Sequence, residues 1–143
     1  MSVYLVDVRF LPDRMKRLIS PEDRKRLGIR TLEEQMSKVE LKNETDLSNQ
    51  IVQYLNLRNI EVLRPRTDKK STISKGWPDL TFCVRAPNGF PLACAFELKT
   101  DSGVLTKEQA DMLDRLKTAP NGWHVRVIRN VIEVVDFLRE IGL

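Results

Sequence analysis

Two short apolar runs on either side of a turn tetrapeptide constrain this chain more than any other feature. Leu80-Thr81-Phe82-Cys83-Val84-Arg85 and Phe90-Pro91-Leu92-Ala93-Cys94-Ala95-Phe96 flank Ala86-Pro87-Asn88-Gly89. β-Branched and aromatic residues around a Pro-Asn-Gly turn predict a β-hairpin. Pro87 suits the first position of a type I turn, and Gly89 supplies the left-handed conformation that a three-residue loop with a bulge demands. Ala86 then faces Phe90, and counting back along both strands brings Asp79 opposite Glu97, with Lys99 on the same face by alternation. The other face carries Leu80, Phe82, Val84, Leu92, Cys94, Phe96 and Leu98, a continuous apolar surface that belongs in a core. A two-residue Asn88-Gly89 loop would slip the pairing by one, set Asp79 beside Leu98 and send the acids to opposite faces. In the three-residue register Cys83 and Cys94 point to opposite sides of the sheet, so both are expected to remain free thiols.

Gly76-Trp77-Pro78-Asp79-Leu80 leads into the first strand, and Phe96-Glu97-Leu98-Lys99 ends the second. Two carboxylates side by side repel, and a protein that places them so usually supplies a cation. An all-oxygen set favours Mg²⁺ or Mn²⁺ over zinc, for which the chain offers only His124 and two cysteines at no ligand spacing. Such an ion can activate a bound water and neutralise charge on an attacked phosphodiester, while Lys99 orients the water or stabilises the phosphate. Glu-Leu-Lys by itself is a weak motif. The apolar strands that position it strengthen it.

With these motifs the chain resembles the VRR-NUC family of the PD-(D/E)xK nuclease superfamily over about residues 43–141. Pro78-Asp79 and Glu97-Leu98-Lys99 are similar to the signature, and Gly76 matches the glycine that commonly precedes it. Thr100-Asp101-Ser102-Gly103-Val104-Leu105-Thr106-Lys107-Glu108-Gln109 resembles the family's loop into a helix with a glutamine in its first turn. Glu44 is similar to the acid on the family's first core helix; one turn later, where the family usually has glutamine, this chain has Ser48. The resemblance implies an α/β fold with a PD-(D/E)xK nuclease-like core, a mixed four-stranded sheet flanked by helices. It implies Mg²⁺- or Mn²⁺-dependent cleavage of DNA, often branched or flapped. Glu44, Asp79 and Glu97 would hold the metal, with the Leu98 carbonyl as a further ligand candidate, and Lys99 and Gln109 would act on water and phosphate. Asp46, Asp68 and Glu108 are the alternatives to Glu44.

The net charge of +4 is concentrated. Residues 58–75 carry Arg58, Arg64, Arg66, Lys69, Lys70 and Lys75 against Glu61 and Asp68, an excess equal to that of the whole chain. Arg64, Arg66, Lys69, Lys70 and Lys75, just upstream of Asp79, are suited to gripping the phosphates that flank a cleaved bond. Arg24-Lys25-Arg26, by contrast, reads as the solvated face of a short helix shared with Glu22 and Asp23. At 143 residues and 41% hydrophobic content the chain is a single globular core's length. No run approaches the ~20 apolar residues of a membrane span, and no signal pattern opens the chain, which points to a cytoplasmic protein.

Helices are expected from Ser20-Pro21 to Gly28, from the Thr31–Glu34 capping box to about residue 40, over 44–57, from Thr106 to about Thr118, and over Val131–Ile141. Strands are expected at Ile60–Arg64, on both sides of the hairpin, and at Trp123–Arg129. This divides the chain into an N-terminal helical extension, residues 1–43, and a nuclease-like domain, residues 44–143. The extension either contacts DNA or a second subunit, or packs on the core. Trp77 reads as a wedge against the core more than a base-stacking ring, and His124 as structural. The functional expectation is an endodeoxyribonuclease for branched DNA such as four-way junctions or flaps, working as a homodimer. Its rivals are a non-catalytic binding module for branched DNA and a nuclease acting on RNA. Retention of Asp79, Glu97 and Lys99 together speaks against the first, since acids facing phosphates do not help a pure binder; the absence of an aromatic-rich strand motif speaks against the second.

Overall fold

The computed structural model describes residues 11–65 and 74–143. They fall into two compact units divided between Val39 and Glu40. In the first, α1 (Asp13–Lys16), α2 (Pro21–Leu27) and α3 (Leu32–Ser37) follow one another. Ser20 caps α2 and Gly28 ends it in the left-handed conformation, while Thr31 and Glu34 form the reciprocal capping box of α3. α3 stops at Ser37, short of the expected residue 40. Arg24 is not part of a solvated face: it pairs with Glu34 at 2.9 Å and donates to the Ile19 carbonyl at 3.1 Å, so its side chain is 14% exposed.

The second unit runs α4 (Glu44–Leu57), β1 (Leu80–Arg85), β2 (Pro91–Leu98), α5 (Lys107–Lys117), β3 (His124–Ile128) and α6 (Val131–Glu140). The hairpin has the three-residue loop. The Ala86 N–H donates to the Phe90 carbonyl at 2.8 Å, the Gly89 N–H to the Ala86 carbonyl at 2.8 Å, and Gly89 sits at φ +88°. From there β1 and β2 pair antiparallel, Arg85 with Pro91 through to Leu80 with Phe96. β3 joins the far side of β2 in parallel, Cys94 with His124 through to Leu98 with Ile128. A parallel neighbour needs a crossover, and α5 provides it.

Both faces of the sheet are covered, for a reason visible in the alternation of β2. Even-numbered Cys94, Phe96 and Leu98 are fully buried together with Leu80, Phe82 and Val84 of β1. Phe96 stacks edge-on between Phe82 and Phe137 of α6, at centroid separations of 5.0 and 5.1 Å. α4 turns Leu47, Ile51, Tyr54 and Leu55 inward from an Asn43 cap. On the odd face Ala95 meets Met112 and Leu116 of α5, and Trp77, Trp123 and Val125 close around them. Trp77 and Trp123 meet edge to face at 6.0 Å, so Trp77 is a wedge against the core. The small side chain of Ala95 lets α5 approach, and that approach buries the next residue on the same face, Glu97.

The expected strand at Ile60–Arg64 does not form. Leu63 makes one antiparallel bridge to Thr81 through bonds of 2.8 and 3.0 Å. Its side chain is 73% exposed, so no buried face supports a longer ladder, and Pro65 has no N–H to extend one. The sheet is therefore three-stranded among the described residues, rather than four-stranded. No described helix is long and apolar enough to cross a membrane.

Cys83 and Cys94 are free thiols on opposite faces: Cys83 is exposed, and burial pushes the Cys94 thiol up to about 12. One of the two should react with a disulfide reagent in the native protein and the other only in denaturant. Two thiols titrating together under native conditions would contradict the register.

Candidate active site

The end of the hairpin remote from its turn gathers the acids. Carrying the register one step past Leu80 and Phe96 sets Asp79 opposite Glu97, and the Leu98 N–H donates to Asp79 Oδ2 at 2.8 Å. This bond locks the first acid to the strand that carries the second. Glu97 is 1% exposed. Its Oε1 accepts from Gln109 Nε2 at 2.6 Å and lies 3.5 Å from Lys99 Nζ. Its Oε2 is buried and has no hydrogen-bond partner among the described residues. An orphaned carboxylate oxygen in a low-dielectric site is costly, and burial is the first cause of the Glu97 carboxyl's rise to about 8. The negative charge of Asp79 adds to the rise; Lys99 opposes it.

Lys99 is 7% exposed and joins two elements, since its Nζ lies 3.6 Å from Glu44 Oε1 as well as near Glu97. Glu44, in the first turn of α4, thus meets the site through the ammonium. The alternatives to it are engaged elsewhere: Asp46 accepts from the Lys42 N–H at 3.0 Å and Glu108 pairs with Lys75 at 2.9 Å. Asp68 lies outside the described residues. Glu44, Asp79 and Leu98 line one groove, with Ser48 and Arg64 on its wall. Arg64 is held there by Ser48 Oγ and Asn49 Oδ1, each at 2.8 Å. Ser48, one turn after Glu44, therefore anchors a cation.

Gln109 is bonded at both ends of its amide. Its Oε1 accepts from the Thr106 N–H at 2.9 Å as one half of a capping box, and its Nε2 is spent on Glu97. Both ends of the amide are used, which makes it a brace for the carboxylate. Gly76 explains how α5 comes so close. It has φ +84°, and a Cβ there would stand 2.4 Å from the Glu108 carbonyl oxygen and 3.0 Å from the Gln109 nitrogen. Only glycine lets this loop pass beneath the first turn of α5.

Of the basic residues expected to grip phosphates, Arg64 is in the groove and Lys75 is exposed beside Glu108. Arg66, Lys69 and Lys70 lie outside the described residues. His124 pairs with Cys94 in the sheet, away from the acids. The Ser48 and Asn49 clamp on Arg64 was not foreseeable from sequence, because polar residues on the open side of a helix carry no mark of their partner. Among the described residues, no group of three His, Cys, Asp or Glu side chains is gathered closely enough to hold a metal ion by itself. A pair, Asp79 and Glu97, is present, and the unpartnered Glu97 Oε2 suits an oxygen-seeking divalent cation.

No protein-family model matches the sequence, and no curated protein matches it. Among solved structures, one described as a VRR_NUC domain protein has a TM-score of 0.55 and 14% identity, over 73% of this chain and 91% of that one. The fold is that of a VRR_NUC domain. The shared part is the scaffold, so the chemistry of this VRR_NUC-like chain is argued from its own side chains.

The raised Glu97 carboxyl has a sign. The unfolded chain ionises near the ordinary value of 4.5, the folded chain only near 8, so between these values the folded state binds more protons. Stability without metal should therefore fall as pH rises through that window and level off above it. Glu97→Gln should flatten the profile in urea unfolding series. An equally steep profile in the folded variant would remove Glu97 as its source.

Proposed function

We propose that this chain is a metal-dependent endodeoxyribonuclease that hydrolyses phosphodiester bonds in branched DNA. The observation that carries the reading is the convergence of Asp79, Glu97 and Lys99 at one end of a rigid hairpin, with a buried Glu97 oxygen that no donor among the described residues satisfies. Asp79 and Glu97 would hold Mg²⁺ or Mn²⁺, with Glu44 and the Leu98 carbonyl facing the same groove. When bound, the ion supplies charge neutralisation and an acidified water.

The chain's own groups do the rest. Gln109 holds Glu97 Oε1 and so leaves Oε2 as the oxygen that would take the ion. Lys99 Nζ lies beside both glutamates, where it can orient water or stabilise charge on the attacked phosphate. Arg64, braced on α4, presents a planar cation to a neighbouring phosphate. Phosphate contacts carry little base information, and the chain has no recognisable base-reading module, so choice among substrates would rest on backbone path. A homodimer would present two such sites and suit symmetric cuts in a four-way junction.

Asp79→Ala, Glu97→Ala and Lys99→Ala should each lower kcat/KM on a four-way or flapped DNA by about 100-fold or more while the circular dichroism spectrum is kept. Glu44→Ala should in addition weaken Mn²⁺ binding, and Arg64→Ala should weaken DNA binding and reduce its salt slope by about one. Full cleavage by any folded variant of the first three would remove that residue from the mechanism. Cleavage confined to one base sequence in linear duplex would defeat the reading of shape, and a monomer at working concentration the symmetric cut.

A further inference from the structure

Lys99 is held from two directions by consecutive residues of another segment. Its main-chain N–H donates to the Ile128 carbonyl at 3.0 Å, continuing the parallel pairing of β2 and β3 past Leu98. Its methylene stem rests on Gly103, where a Cβ would stand 3.2 Å from Lys99 Cδ and 3.4 Å from Lys99 Cβ. That backbone wall is fixed by the residue after Ile128. Arg129 Nη1 donates to the Thr100 carbonyl at 2.6 Å and the Gly103 carbonyl at 2.9 Å, with the Asp101 carbonyl at 3.5 Å. Arg129 is itself anchored, its N–H donating to Glu133 Oε2 at 2.6 Å beside the Asn130 cap of α6.

The lysine needs such a wall. Its ion pairs to Glu44 and Glu97, at 3.6 and 3.5 Å, are too long to be directional hydrogen bonds. A four-carbon stem also has many rotamers to lose. Attraction to two carboxylates would keep the ammonium in the neighbourhood without aiming it. The guanidinium can do more, because its charge is permanent and one planar nitrogen, Nη1, reaches both the Thr100 and the Gly103 carbonyls.

We propose that Arg129 is a positioning residue for Lys99: by tying the Thr100 and Gly103 carbonyls it presses the loop after β2 onto the lysine stem and aims Nζ between Glu44 and Glu97. Its kinetic consequence rests on the nuclease reading. The aiming itself is a property of the folded chain, and can be read without DNA.

The test compares the intact protein with Arg129→Gln and Arg129→Lys, the second keeping the charge while losing the planar nitrogen that reaches both carbonyls. Arg126→Gln, at an exposed arginine paired with Glu140, serves as the control. Acetylation of Lys99 by an amine-reactive ester, followed by mass spectrometry, should quicken about tenfold in a folded Arg129 variant and stay unchanged in the control. On branched DNA with Mn²⁺ the same variant should lose about tenfold or more in kcat with KM and Mn²⁺ affinity unchanged. Unaltered Lys99 reactivity in a folded Arg129 variant would overturn the proposal, as would a loss carried by KM alone. If Arg129→Gln does not fold, Arg129→Lys decides by the same criteria. A wild-type protein that cuts no DNA would sink the nuclease reading and leave the acetylation rates to judge Arg129.

Discussion

Two carboxylates held side by side, one of them buried with an oxygen unsatisfied, are the constraint around which the rest of this molecule is arranged. Left to themselves, Asp79 and Glu97 would separate; held together without a metal, Glu97 keeps its proton up to about pH 8. They are kept together by the hairpin register and by the bond from the Leu98 N–H to Asp79. The energy for that arrangement comes from the opposite face, where Leu80, Phe82, Phe96 and Leu98 are buried against α4 and α6. Each large apolar side chain there contributes roughly 2 kcal/mol by leaving water, enough to oppose the cost of a strained acidic pair. Slipping the register by one residue would expose that face and separate the acids at once. Fold and site therefore depend on the same choice of turn.

The second layer of the arrangement is α5. Ala95 is small enough for Met112 and Leu116 to close over the sheet, and Gly76 has no side chain to keep the loop before β1 away from the helix start. These two small residues bring the first turn of α5 down onto Glu97, where Gln109 both caps its helix and holds the carboxylate. Lys99 closes the other side, partnered by Glu44 from α4. The site draws on elements far apart in sequence, yet each is placed by ordinary packing and capping.

Much of this was legible in the sequence where the determinants are local. Pro87-Asn88-Gly89 sets the turn, period-two alternation sets the faces, and together they led to the observed pairing of Leu80 with Phe96. The helix starts at Thr31 and Thr106 followed from caps a few residues long. What failed was non-local. Ile60–Arg64 has strand-like residues, but only Leu63 finds a partner, and its exposed side chain gives the segment no reason to extend the sheet. The bond from the Gln109 amide to Glu97 is likewise unmarked in the sequence, because it depends on how closely α5 approaches β2. Arg64, Ser48 and Asn49 are three polar residues whose mutual contacts arise from how α4 passes the segment after it. Arg129 is invisible for the same reason, since its partners lie twenty-six or more residues away.

The most direct measurement is anomalous diffraction from crystals of the wild-type protein soaked in Mn²⁺. The account requires a peak within bonding distance of a carboxylate oxygen of Asp79 and of Glu97 Oε2, the oxygen left without a partner among the described residues. A peak only elsewhere, or none at millimolar Mn²⁺ with the acidic pair intact and clear of lattice contacts, would contradict it.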